Sequence, residues 1–421
     1  MINFLTASSV HWECVAEVDI SRHEDSFLRR PFKNPRDIVS LIAADSMLLL
    51  TAMSCTLEKH CYCAKKRKQT MLESLKIRNF RILDDFDIER LASVNLFAGL
   101  NNSGKTALLE ALFLMSGFGN PHIGLNSNVT RGGFPEPVPI DVIRDVFCKP
   151  MFSTLDMKRS VEITGNHRRH GTLTLRISRE RSDVTVIPLK GTDEVTSISA
   201  PLNDLVLQFS FERGSRVSVK QIRFTNQGVK IDPPDTEEAL FQAIFLSSRN
   251  VIPREEAIRL GQLRVRKQED LILESLRTIE PRLKSIEDNS ASGHPMIWGD
   301  IGLQELVPLQ ILGEGMTRVA RLILAISAAE NGIVLVDEIE TGLHYSVLPK
   351  VWEAIDMASK KFNTQIFATT HSFECTEAAH SALEQSSFLF HRLEADGMES
   401  RCITYGPEEI DAAIRHDFEV R

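Results

Sequence analysis

Gly99-Leu100-Asn101-Asn102-Ser103-Gly104-Lys105-Thr106 is the stretch on which the reading of this chain turns. It has the pattern GxxxxGK[ST], follows an apolar run from Val94 to Ala98 that reads as a strand, and opens a proline-free apolar stretch from Lys105 to Ser116 that reads as a buried helix. The chemistry follows from that context. Glycines let successive backbone N–H groups wrap a phosphate, and the helix N-terminus adds positive potential. Lys105 reaches the β and γ phosphates, and the Thr106 hydroxyl is offered to Mg²⁺. Gly99, Asn101, Asn102, Ser103 and Gly104 complete the candidate phosphate loop.

Three further segments gain meaning from this one. Ile333-Val334-Leu335-Val336-Asp337-Glu338 is four apolar residues ending in two acids, which places both carboxylates at the tip of a buried strand. Alone, such a pair is often a solvated strand end. Beside a phosphate loop, Asp337 suits the magnesium shell and Glu338 suits the orientation and polarisation of an attacking water. Leu312-Gly313-Glu314-Gly315-Met316 precedes the helix before that strand and offers a second glycine-bearing helix N-terminus for a phosphate, or else a plain turn. Phe367-Ala368-Thr369-Thr370-His371-Ser372 puts a histidine directly after another apolar strand. A lone histidine there is more often structural; in this order of motifs it reads as a γ-phosphate sensor.

The bulk properties are compatible with this reading. The chain has 421 residues, 43% apolar and 25% charged, and a net charge of −8, which excludes a wholly basic nucleic-acid coat and leaves room for a local basic patch. Seven cysteines, an odd number without a regular framework, fit a reducing cytoplasm. Cys61-Tyr62-Cys63 lacks the spacing of a zinc site. The apolar run from Ile38 to Cys55 is broken by Asp45 and is short for a bilayer span, so no membrane segment is expected.

Along the chain, residues 1–70 lack helical or strand periodicity and end in Lys65-Lys66-Arg67-Lys68; the simplest reading is a leader preceding a true start at Met71, the alternative a basic targeting or phosphate-binding arm. Strands are expected at Leu75 to Phe80, Asp84 to Glu89 and Val94 to Ala98, an irregular loop from Pro121 to Pro139, and a β-rich lobe over about 155–230. The lobe's segments are Ser160 to Thr164, Gly171 to Ile177, Asp183 to Leu189, Leu205 to Phe211 and Val217 to Phe224. A helical insertion over about 250–290 follows, with Leu276, Ile279, Leu283 and Ile286 in coiled-coil-like spacing, too short for a long arm. The last third alternates helix (Thr317 to Ala329), strand (Ile333 to Val336), helix (Val347 to Ser359) and strand (Gln365 to Thr369, Ser387 to Phe390), the pattern of an α/β sheet.

The motif order over Met71 to Arg421 resembles the ATP-binding-cassette (ABC) heads of the SMC and OLD (overcoming-lysogenization-defect) ATPases. The likeness is carried by the segments above together with Ile77-Arg78-Asn79-Phe80-Arg81, the short insertion, Glu340-Thr341-Gly342-Leu343-His344 and the ending Phe418-Glu419-Val420-Arg421. The resemblance implies an α/β P-loop NTPase of ABC-cassette type with an antiparallel β lobe and a short helical insertion, hydrolysing ATP with Mg²⁺ as a homodimer. It implies that Gly313 and Gly315 belong to the signature, that His371 is the switch histidine and that Glu340 to Leu343 couple two sites. Gly313 stands where related signatures carry serine, and Gln242 is one candidate for the glutamine loop. Full-length OLD proteins carry a nuclease after the head; about fifty residues follow His371 here, so an effector such as a nuclease is expected from a partner protein, with nucleic acid as a further partner, in DNA maintenance or anti-phage defence.

Overall fold

The computed structural model describes residues 72–117, 142–180, 205–225, 228–234, 240–247, 253–289, 295–396 and 399–415. The leader, the loop from Pro121 to Pro139, the segment Asp183 to Leu189 and the final Phe418 to Arg421 lie outside them.

The chain opens with an antiparallel pair, β1 (Leu72–Phe80) and β2 (Leu83–Ile88), and then β3 (Val94–Gly99) leads through the glycine loop into α1 (Lys105–Ser116). Next come β4 (Val161–His167), β5 (Gly171–Arg179), β6 (Leu205–Arg213), β7 (Arg216–Thr225) and β8 (Gly228–Asp232). These form a seven-stranded sheet in the order β2-β1-β4-β5-β6-β7-β8, antiparallel throughout. The lobe is therefore larger than the sequence reading made it: β1 and β2 belong to it, and β8 was not anticipated. Its alternation is plain in β4 and β5, where Val161, Ile163, Leu173, Leu175 and Ile177 are buried and their neighbours face outward.

The second half supplies β9 (Ala243–Leu246), α2 (Pro253–Val265), α3 (Asp270–Arg277), β10 (Ser285–Asn289), β11 (Met296–Asp300), β12 (Val307–Pro308) and α4 (Glu314–Ala328). It continues with β13 (Ile333–Val336), α5 (Leu348–Phe362), β14 (Gln365–Thr369), α6 (Phe373–Ala382), β15 (Phe388–Asp396), β16 (Glu399–Tyr405) and α7 (Pro407–Arg415). Helical structure was expected through Asp288, but α3 ends at Arg277 and Ser285–Asn289 is a strand in a small antiparallel sheet, β10-β11-β12. Pro281 disfavours helical geometry at Glu280, so Leu276 and Ile286 never share a helix face.

The central sheet runs β16-β15-β3-β14-β13-β9, parallel from β15 to β9 with β16 as an antiparallel edge. β13 and β14 are buried at every position, as strands covered on both faces must be. Val334 and Val336 turn to one face, against α4, α5 and α6; Ile333 and Leu335 turn to the other, against α1 and the lobe. α1 thus lies between the two large sheets, touching β1 and β4 of one and β3, β9, β13 and β14 of the other. The Gln365 side chain ties these layers at one end, accepting from Leu72 N–H at 2.9 Å and donating to the carbonyls of Leu72 and Ala92.

Candidate ATP site

Parallel sheets carry their chemistry at the carboxyl ends of the strands, and the ends of β3, β13 and β14 meet here. Gly99 closes β3 with φ +154°, and a Cβ there would stand 2.4 Å from the Leu393 carbonyl oxygen and 2.8 Å from Ser103 Oγ. Gly104 caps α1 with φ +99°, and its Cβ would meet Leu83 Cδ2 at 2.8 Å. Both glycines are required by position and conformation together. Between them Asn102 adopts φ 64°, a conformation asparagine tolerates, and Asn101 and Asn102 are exposed while Ser103 is buried.

Lys105 is 5% exposed, and its Nζ donates to the carbonyls of Gly99 at 2.7 Å and Leu100 at 2.9 Å. Burial lowers its pKa to about 8 against the opposing pull of Asp337, Glu338 and Glu340. The ammonium is held by the loop it serves, with a third hydrogen free for phosphate.

Thr106 Oγ1 lies 3.4 Å and 3.3 Å from the two carboxylate oxygens of Asp337, so the first turn of α1 and the tip of β13 face each other as the sequence reading required. Thr369, the last residue of β14, completes the arrangement. Its hydroxyl donates to Asp337 Oδ1 at 2.7 Å and accepts from Glu338 N–H at 2.9 Å. Glu338 has φ 49°, left-handed for a residue with a long side chain. Arg318, reaching across from α4, donates through Nη2 to the carbonyls of Asp337 at 3.0 Å and Glu338 at 2.8 Å. Burial lowers the Arg318 pKa to about 10, with Arg321 adding to the effect.

Two of these supports escaped sequence reading. Thr369 was quoted only as part of the strand before His371, yet a hydroxyl at the end of the strand adjoining the acidic one was a usable signal. Arg318, an arginine on the inward face of a helix, carried no motif. His371 is exposed, and its backbone N–H donates to Glu340 Oε1 at 2.8 Å, joining the histidine to the Glu340–Leu343 turn. Gly313 and Gly315 sit at the start of α4 against that same turn: a Cβ on Gly315 would lie 3.5 Å from the Gly342 carbonyl, and one on Gly342 would lie 2.8 Å from the Glu314 side chain. Among the described residues no hydrogen bond joins Gly313–Met316 to the phosphate loop. Gln242 sits at the amino end of β9, its carbonyl accepting from Ile333 N–H at 2.8 Å, whereas Asp337 N–H reaches Leu246 at the other end. Gln242 therefore lies at the end of the parallel sheet opposite the phosphate loop and does not reach it as a glutamine loop would.

A glycine loop leading from a central strand into α1, an acid pair and a histidine on the neighbouring parallel strands, and an antiparallel lobe packed across α1 define an ABC-type P-loop ATPase. The chain belongs to the family described as "AAA domain, putative AbiEii toxin, Type IV TA system", whose model matches residues 94–374. Over 347 residues it is 23% identical to the ATP/GTP phosphatase of Helicobacter pylori, spanning 76% of this chain and 90% of that protein. Matching solved structures include the SMC head bound to the C-winged helix domain of ScpA, 11% identical, covering 82% of this chain and 100% of that one with a TM-score of 0.44. The SMC head domain from Thermotoga maritima matches at 14% identity, covering 80% and 99%, with a TM-score of 0.37.

Proposed function

We propose that the chain is an ATP-driven switch in which two copies close head to tail around two nucleotides and hydrolysis reopens them. The observation that carries this reading is the convergence of Lys105, Thr106, Asp337 and Glu338 from three separated segments, with Thr369 fixing the acidic pair. Lys105, freed from one loop carbonyl, neutralises the β and γ phosphates, and the loop N–H groups wrap them. Glu338 orients a water for in-line attack and accepts its proton.

The donors also fit magnesium. Thr106 Oγ1 and the Asp337 carboxylate are hard oxygen ligands on facing elements, the donor type that magnesium takes beside phosphate and water. Thr106 and Asp337 would hold the ion, which would supply positive charge to offset that developing on the phosphate oxygens. His371, carried beside Glu340, is the candidate sensor of the γ-phosphate. Gly313 and Gly315 would present the N-terminus of α4, which has no side-chain cap, to the nucleotide of the second copy.

The switch acts on a partner: an effector protein such as a nuclease, in DNA maintenance or anti-phage defence, with the toxin named in the family description as a related setting. The testing experiment is Glu338→Gln, which keeps shape and loses the base. It should bind ATP, slow hydrolysis by about 10²-fold or more and accumulate a dimer in light scattering with ATP and magnesium; an unchanged rate would show the base is misplaced. Gly313 in place of a signature serine favours a second reading, a nucleotide-gated scaffold with slow turnover that assembles an effector complex. For that reading the wild type would itself turn over slowly, and Glu338→Gln would match that slow rate while both assemble the dimer with ATP and magnesium.

A further inference from the structure

The net charge of −8 makes any concentration of cations conspicuous, and one occurs at an end of the antiparallel lobe. The β4–β5 hairpin turns through His167, Arg168, Arg169 and His170, and the β6–β7 hairpin turns from Arg213 to Arg216. Because Leu173 pairs with Arg213 across β5 and β6, the two turns lie at the same end of the sheet. Two strand spacings, about 10 Å, separate them.

The arginines elsewhere on the lobe and insertion, such as Arg78, Arg176 and Arg264, lie against carboxylates. Arg169, Arg213 and Arg216 have no ion pair with any described residue, and Arg168 lies 4.0 Å from Glu73. Glu212, beside Arg213, is engaged with Arg176 at 3.3 Å. Arg213 and Arg216 are moreover direct cross-strand partners, an arrangement of like charges that costs stability. The positive potential registers on the neighbouring histidine: Arg213 and Arg169 add to burial in lowering the pKa of His170. Gly171 and Gly214, both at positive φ in the two turns, have nothing within 4 Å of a Cβ position, so the tips project freely.

We propose that these paired hairpin tips, through Arg169, Arg213 and Arg216 with Arg168 beside them, bind the phosphate backbone of duplex nucleic acid. Guanidinium groups match phosphate in a bidentate manner, and tips about 10 Å apart with no enclosing walls suit a repeating polyanion rather than one small phosphate. Of the nearby rings, Phe241 and His167 are buried and His170 is half-buried, so among the described residues no fully exposed ring at the tips offers the stacking platform of single-strand binders. The site is distinct from the nucleotide site, and the inference stands without the switch reading.

The test is fluorescence anisotropy of the full chain with a labelled mixed-sequence duplex of about 30 base pairs across a salt series. Neutralising three to four phosphates gives a slope of about −3 in log affinity against log salt. Arg169→Ala/Arg213→Ala should weaken binding at least tenfold near 100 mM salt and flatten the slope by about 2, with a melting temperature no lower than that of the wild type. Arg216→Ala should flatten it by about 1. Arg179→Ala, at the opposite end of β5, should leave both quantities unchanged. Hydrolysis of ATP by the double variant without nucleic acid should match the wild type, which separates this site from the nucleotide site. The inference is overturned by failure of the wild type to bind duplex, by a double variant with wild-type slope, by equal weakening in Arg179→Ala, or by preference for polyglutamate over duplex, which would assign the tips to an acidic protein.

Discussion

Replacing Thr369 with valine removes one hydroxyl and keeps the shape of a fully buried side chain. That hydroxyl makes two bonds: it donates to Asp337 Oδ1 at 2.7 Å and accepts from Glu338 N–H at 2.9 Å. Losing a hydrogen bond to a charged acceptor costs about 1.5–3 kcal/mol, and leaving the Glu338 amide without an acceptor costs about 1–3 kcal/mol. The fold should lose about 3 kcal/mol in all. The effect on chemistry is separate. Glu338 is held at φ 49°, a conformation that costs about 1–3 kcal/mol and persists only under restraint, so releasing one restraint lets the carboxylate drift. A displacement of about 1 Å costs about 100-fold, so kcat should fall by that order. The affinity for ATP should stay within about fivefold, because Lys105 and the loop backbone are untouched. Phosphate release at saturating ATP and magnesium measures kcat, calorimetry measures affinity, and Thr369→Ser should restore kcat. A valine variant that melts lower yet retains kcat within about threefold would refute the argument and make Thr369 a stability residue alone.

Lys105→Ala should abolish ATP binding in a calorimetric titration, since it removes the one cation set over the phosphates; retained affinity would overturn the assignment. Because the Lys105 pKa falls from 10.5 to about 8, the free protein loses this proton above pH 8, whereas bound phosphates favour the charged form. ATP affinity should therefore decline by up to about tenfold per pH unit above that point, with proton uptake on binding detectable by calorimetry in buffers of differing ionisation enthalpy. The sign for folding is opposite: between pH 8 and 10.5 the unfolded chain holds a proton the folded one lacks, so this group's contribution to stability rises with pH. Mixing Lys105→Ala with Gly315→Asp should recover activity that neither has alone, each chain supplying the half-site the other lacks; the Gly315 position has ordinary room for a Cβ. No recovery on mixing, together with full activity of a species that stays monomeric with ATP and magnesium, would eliminate the composite site.

The parts of this fold that were legible share a cause. The strand Ile333–Val336 and the helix Lys105–Ser116 are read from sequence with the bounds the structure gives, because elements buried on all sides leave long apolar runs. β9 was missed: its four residues follow Gln242 with no turn signal and gain their structure from pairing with β13. The same holds for β10: Ile286 falls in helical spacing with Leu276, Ile279 and Leu283, and its strand comes from pairing with β11. At the site, glycines and acids announced themselves through local pattern. Thr369 and Arg318 did not, because their roles arise from contacts 31 and 19 residues away in the chain.

The helix behind the phosphate loop has no outward side. Apart from Thr106 and Phe113, every residue of α1 is buried, including Glu110, which pairs with Arg81 of the lobe at 2.6 Å. Gly165 of β4 fits so closely against it that a Cβ would stand 2.8 Å from Met115 Sδ. A push delivered at Lys105 by an arriving triphosphate therefore cannot be absorbed by sliding α1 along a lubricated surface. It must pass through packed side chains into both sheets together, which joins the antiparallel lobe mechanically to the phosphate loop.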